Sequence, residues 1–188
     1  MHRRTAAAVV AVAALGASAV AVAPASAAKN QITIKGGTIF KPGKFIKDNQ
    51  RFVTPAKNKV KSGATMKIVN RTKGEPHTIS FTEKQFVPTS FDINADLNAN
   101  LLAAHQVDPN NEEAPPGVMT VDDGQPLADG ATWEVNSPFT DTSANGDSAF
   151  IAPGTNGPGS FKVTAPKGST LYFFCAVHPW MSGKLKVR

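Results

Sequence analysis

Cys175-Ala176-Val177-His178-Pro179-Trp180-Met181 decides how the rest of the chain is read. A thiol, an imidazole and a thioether stand three positions apart within seven residues. Soft sulfur beside imidazole suits copper, and two His, one Cys and a weak axial Met form the donor set of copper sites that pass single electrons. The stretch supplies one His of the two. A second must come from elsewhere, and the strand-like run Pro76-His77-Thr78-Ile79-Ser80-Phe81 offers it.

These residues carry a resemblance. The spacing Cys-x₂-His-x₂-Met, with Pro after the His, resembles the ligand loop of a cupredoxin of the plastocyanin, pseudoazurin and amicyanin kind, and most of all the short loop of amicyanin. Upstream, Gly63-Ala64-Thr65-Met66-Lys67-Ile68-Val69-Asn70 is similar to the strand that precedes the first ligand His in that family. The likeness covers Phe52 to Phe81 and Phe161 to Arg188 and leaves the long middle unmatched. It implies an all-β Greek-key sandwich or barrel holding one type 1 copper ion on His77, Cys175, His178 and Met181. It also implies a carrier, not an enzyme. The residue after the first ligand His is often Asn in the family and is Thr78 here, so the expected reduction potential differs, because hydrogen bonding around the sulfur tunes it.

The single Cys supports the same reading from another side. The first residues of the 188-residue chain look like a secretory signal over residues 1–28: Arg3 and Arg4, the small apolar run Ala6 to Ala23, then Pro24-Ala25-Ser26-Ala27. An uncleaved anchor is the competing reading of that run. An exported chain with one Cys has no internal disulfide, so Cys175 is idle, intermolecular or a ligand, and a metal would shield it from oxidation. The expected address is an extracellular, cell-wall or periplasmic space, with one domain over residues 29–188.

Charge divides the chain. Lys29 to Lys73 holds twelve Lys and Arg against one acid, Asp48; Gly74 to Ser160 holds thirteen acids and one Lys; the remainder is basic, for a net charge of +6. A basic body favours an acidic partner or anionic surface. Nucleic acid is a poorer partner class, because the chain reads as exported. The expected partners are redox proteins that meet a monomer of this chain near His178 and Trp180. Copper buffering or delivery without electron transfer is the alternative. A multicopper enzyme needs further His clusters, and after the signal only His77, His105 and His178 remain.

Short runs between Gly and Pro turns predict strands from Gln31 onward, with Thr38–Phe40 and Lys44–Lys47 continuing the edge of the first and closing strands at Phe161–Thr164, Leu171–Cys175 and Gly183–Val187. Between His77 and Cys175 lie 98 positions, so residues 83–160 read as an acidic insertion. In it, Ile93, Leu97, Leu101 and Ala104 recur at helical spacing and predict one helix, with Ser90 or Asp92 as its cap and His105 exposed on it. Asp108 to Pro116 and Asn145 to Gly159 read as loops, and Leu127 to Val135 as a strand. Met66 and Met119 read as packing residues.

Overall fold

The computed structural model describes residues 30–89, 95–107, 119–128, 131, 133–136, 138, 140–143, 145–155, 157 and 160–188. The expected signal (1–28), the helix cap and the 108–116 loop lie outside them. The elements run β1 (Gln31–Lys35), β2 (Thr38–Lys41), β3 (Phe45–Asp48), β4 (Arg51–Val53), β5 (Lys59–Val60), β6 (Thr65–Asn70), β7 (His77–Thr82), α1 (Ala95–Ala104), β8 (Thr120–Asp122), β9 (Gln125–Pro126), β10 (Trp133–Val135), β11 (Ser148–Ile151), β12 (Ser160–Val163), β13 (Thr170–Phe174) and β14 (Ser182–Val187).

Among the described residues they form an all-β sandwich with one α-helix. One sheet has the order β10-β12-β6-β1-β4, the other β5-β14-β13-β7-β11-β8-β9. The chain crosses between sheets from β6 to β7 and from β10 to β11, then back to β12 and over again to β13. Side chains that alternate inward meet between the layers. Ile32 and Ile34 of β1, Met66 and Ile68 of β6, and Phe161 and Val163 of β12 face Ile79 and Phe81 of β7 and Phe173 of β13, all 0 % exposed. Phe81 is the hub, with ring centroids 5.6 Å from Phe173 and 5.9 Å from Phe161 in edge-to-face contact. Gly183 in β14 is there for space: a Cβ would sit 2.5 Å from the Phe173 ring.

Three expectations are corrected. Asn145 to Gly159 is not all loop, because Ser148-Ala149-Phe150-Ile151 forms the fully buried strand β11 between β7 and β8. Its short apolar run was hidden among Gly, Pro and Asn. Thr38 to Lys47 does not continue the β1 edge; β2 and β3 pair with each other as a separate hairpin. His105 is not exposed: it lies just past α1 at 0 % exposure. The helix has its buried face on Leu97 and Leu101 as predicted, and that face packs on Phe174 and Ala176, the residues flanking Cys175.

Candidate metal centre

Strand register brings the distant residues together. β13 and β7 pair antiparallel with Phe174 opposite Ser80 and Phe173 opposite Phe81. The end of β13, where Cys175 follows, therefore meets the beginning of β7, where His77 stands. The loop from Cys175 to Met181 is closed at its base by the Cys175 N–H donating to the Met181 carbonyl at 3.0 Å, and inside it the Met181 N–H donates to the His178 carbonyl at 2.8 Å. The inner bond is a β-turn with Pro179 in its second position, where a fixed φ suits the turn.

His77 Nδ1 lies 3.7 Å and His178 Nδ1 3.6 Å from Cys175 Sγ. With metal–sulfur near 2.3 Å and metal–nitrogen near 2.0 Å, two ligands splayed by roughly 110–120° are about 3.5–3.8 Å apart. The observed separations match. His77 and Cys175 are 0 % exposed, Met181 1 % and His178 8 %. One thiol and two imidazoles thus face one another in a dry pocket beside a thioether residue, and the donor chemistry fits copper. The site is cupredoxin-like.

Both imidazoles have their outer nitrogen held, which turns the inner one toward the sulfur. His77 Nε2 lies 3.1 Å from Thr72 Oγ1, and Thr72 in turn donates to Asn70 Oδ1 at 2.6 Å. Asn70, 1 % exposed, organises this corner: its Oδ1 also accepts the Thr72 N–H at 2.9 Å, and its Nδ2 donates to the carbonyls of Glu75 at 3.0 Å and Ala152 at 3.2 Å. His178 Nε2 lies 3.2 Å from Glu75 Oε2. Glu75 also accepts from Gln50 Nε2, which donates to Asp48 Oδ2 at 2.9 Å as well. The His178 edge therefore meets a carboxylate, with the Trp180 ring 5.1 Å away edge-on.

The sulfur has its own donor. The Thr78 N–H donates to Cys175 Sγ at 3.3 Å. Thr78 Oγ1 accepts the Ala176 N–H at 2.7 Å. Thr78 thereby ties the two ligand segments together.

Burial sets the protonation of the metal-free pocket. Desolvation, and next the neighbouring His178, hold His77 at about 4 against a slight upward pull from Asp48. Desolvation lowers His178 as well, opposed by Glu75 and Asp48. Burial pushes the Cys175 thiol up. Neutral imidazoles are ready to coordinate, whereas the thiol must release its proton when a metal enters.

No family model matches the chain, and no curated protein matches it. Among solved structures it is similar to dithionite-reduced auracyanin from the photosynthetic bacterium Roseiflexus castenholzii, at 17 % identity over 73 % of this chain and 87 % of that one, with a TM-score of 0.35. It is also similar to auracyanin B, at 18 % identity over 73 % and 80 %, with a TM-score of 0.33. Similarity that loose leaves the weight on this chain's own donor geometry.

Sequence reasoning found His77, Cys175, His178 and Met181, and the fold brings the first three into one cluster with Met181 buried in the same core. It missed Asn70, Thr72, Glu75 and the Asp48–Gln50 pair. One signal was on the page: Asp48 is a lone acid in a long basic stretch and Glu75 the first acid after it.

Proposed function

We propose that this protein is an exported type 1 copper protein that carries single electrons between redox partners, with His77, Cys175, His178 and Met181 as the metal ligands. The observation that carries the reading is the pair of Nδ1 atoms 3.7 and 3.6 Å from one buried sulfur. Copper bound there would supply a one-electron couple. The chain's part is to hold the donors still through both oxidation states: Thr72 and Glu75 fix the imidazoles, the Thr78 N–H fixes the sulfur, and the closed loop fixes Met181. Small rearrangement on gaining or losing an electron is what a carrier needs.

Partners dock around Trp180, 42 % exposed, whose ring stands edge-on 5.1 Å from that of His178. The basic residues of the first half of the chain favour an acidic partner. Storage or delivery of copper is less well served, because ligands this buried exchange metal slowly. Export fits a free thiol kept safe by metal; among the described residues no helix is long and apolar enough to cross a membrane.

The test is the visible spectrum and voltammetry of copper-loaded protein beside Cys175→Ser. An intense band near the red end of the spectrum, absent in the variant, together with reversible one-electron reduction, is expected. A colourless copper-loaded protein, or a coloured one that cannot be reduced and reoxidised, would refute the carrier role.

A further inference from the structure

A buried line of polar side chains joins α1 to the sulfur of Cys175. His105 Nε2 lies 2.8 Å from Ser148 Oγ on β11, and Ser148 Oγ lies 2.8 Å from Ser80 Oγ on β7. Ser80 donates to Thr78 Oγ1 at 3.1 Å, and the Thr78 N–H donates to Cys175 Sγ at 3.3 Å. All five residues are 0 % exposed. The register explains the line: Ser148 stands opposite Ser80 across the β11–β7 pair.

Each hydroxyl has one hydrogen to give, and this fixes the direction of every bond. Thr78 Oγ1 accepts from Ser80 and from the Ala176 N–H. Ser80 has given its hydrogen to Thr78, so it accepts from Ser148. Ser148 in turn accepts from His105 Nε2–H. The three bonds run head to tail into Thr78, whose N–H meets the sulfur, and hydrogen bonds in such a chain polarise and strengthen one another. The donor end is held in place independently. The His105 N–H donates to the Leu101 carbonyl at 3.1 Å, and α1 packs on Phe174 and Ala176 on either side of Cys175.

We propose that His105 is a positioning residue for the metal site, acting through Ser148 and Ser80 to hold Thr78, whose oxygen accepts from the Ala176 N–H and whose own N–H donates to the Cys175 sulfur. The helix of the acidic middle thereby tunes the site from behind. This inference rests on the copper reading above. Copper held by these ligands would carry less positive charge once reduced, so a firmly placed donor to the sulfur would favour the reduced form.

The experiment uses the full chain as His105→Leu, His105→Gln, Ser148→Ala and the double variant His105→Leu/Ser148→Ala. Voltammetry of the copper-loaded proteins and NMR of the Thr78 hydroxyl and Ala176 amide protons in metal-free protein are the readouts. His105→Leu should lower the potential, shifting the Cu(I) to Cu(II) affinity ratio by about two- to fourfold, and should move both proton resonances. His105→Gln, which keeps an N–H donor, should recover most of the shift; Ser148→Ala should reproduce the loss, and the double variant should add nothing to it. Ser148→Ala also serves if His105→Leu does not fold. Potential and resonances unmoved in either variant, with copper bound, would overturn this inference alone. A native protein that binds no redox-active copper would overturn the copper reading and take this one with it.

Discussion

Replacing Asn70 with Ala tests whether the pocket is built before any metal arrives. Asn70 makes four short hydrogen bonds: it donates to the Glu75 and Ala152 carbonyls at 3.0 and 3.2 Å, and accepts from the Thr72 N–H and hydroxyl at 2.9 and 2.6 Å. The side chain is 1 % exposed, so most of the partners lose their bond without gaining water. At about 0.5–1.5 kcal/mol per bond, with water reaching one or two of the orphans through the gap, the loss of stability comes to about 3 kcal/mol. The function should suffer separately. Thr72 holds His77 Nε2 only while Asn70 holds Thr72, and loss of such outer support weakens metal binding by roughly 10–100-fold. Asn70→Asp keeps the shape but turns an oxygen toward the Glu75 and Ala152 carbonyls, so it should be no better tolerated. Urea unfolding of the metal-free variants and competitive Cu(II) titration measure the two effects. A loss below about 1 kcal/mol with native copper affinity would show that the corner at Asn70 does not preorganise the site.

Glu75→Gln removes a negative charge 3.2 Å from His178 Nε2; the reduction potential should rise, since the carboxylate favours the more positive Cu(II), and voltammetry reads the sign. Gly183→Ala places a methyl group 2.5 Å from the buried Phe173 ring, and calorimetry should record a destabilisation of about 1–3 kcal/mol from overpacking. Metal-free protein should weaken in acid. His77 titrates near 6.5 when unfolded and near 4 when folded, so between those values the unfolded chain binds a proton that the native pocket refuses. The stabilisation is complete above pH 6.5 and falls by roughly 3 kcal/mol as pH drops through 4; His178 adds in the same direction. Above about pH 9 the raised Cys175 thiol should weaken the metal-free protein again, as the unfolded chain loses its proton first. A flat urea midpoint from pH 7 to 4 would contradict the buried neutral His77.

Cys175, His178 and Met181 were legible in the sequence because a loop of seven residues sets their spacing and a turn with Pro179 needs nothing from outside. His77 was legible as a partner because Pro76 and the run of β residues after it mark the start of a strand. The all-β class follows likewise from local alternation and turn residues, and α1 from apolar residues at helical spacing. β11 was not legible: its four residues are buried on both faces, so no alternation marks them among Gly and Pro. Nor was the place of His105, because one imidazole after a helix looks the same whether water or Ser148 lies beyond it. The antiparallel register of β7 against β13 alone decides that the two ligand segments meet. The same layering decides that Glu75 meets His178 and that a line of hydroxyls ends on Thr78, beside the sulfur. Spacing along a chain fixes what neighbours within a turn can do; contacts between segments 43 to 103 positions apart depend on how the sheets stack, which composition and periodicity do not encode one residue at a time.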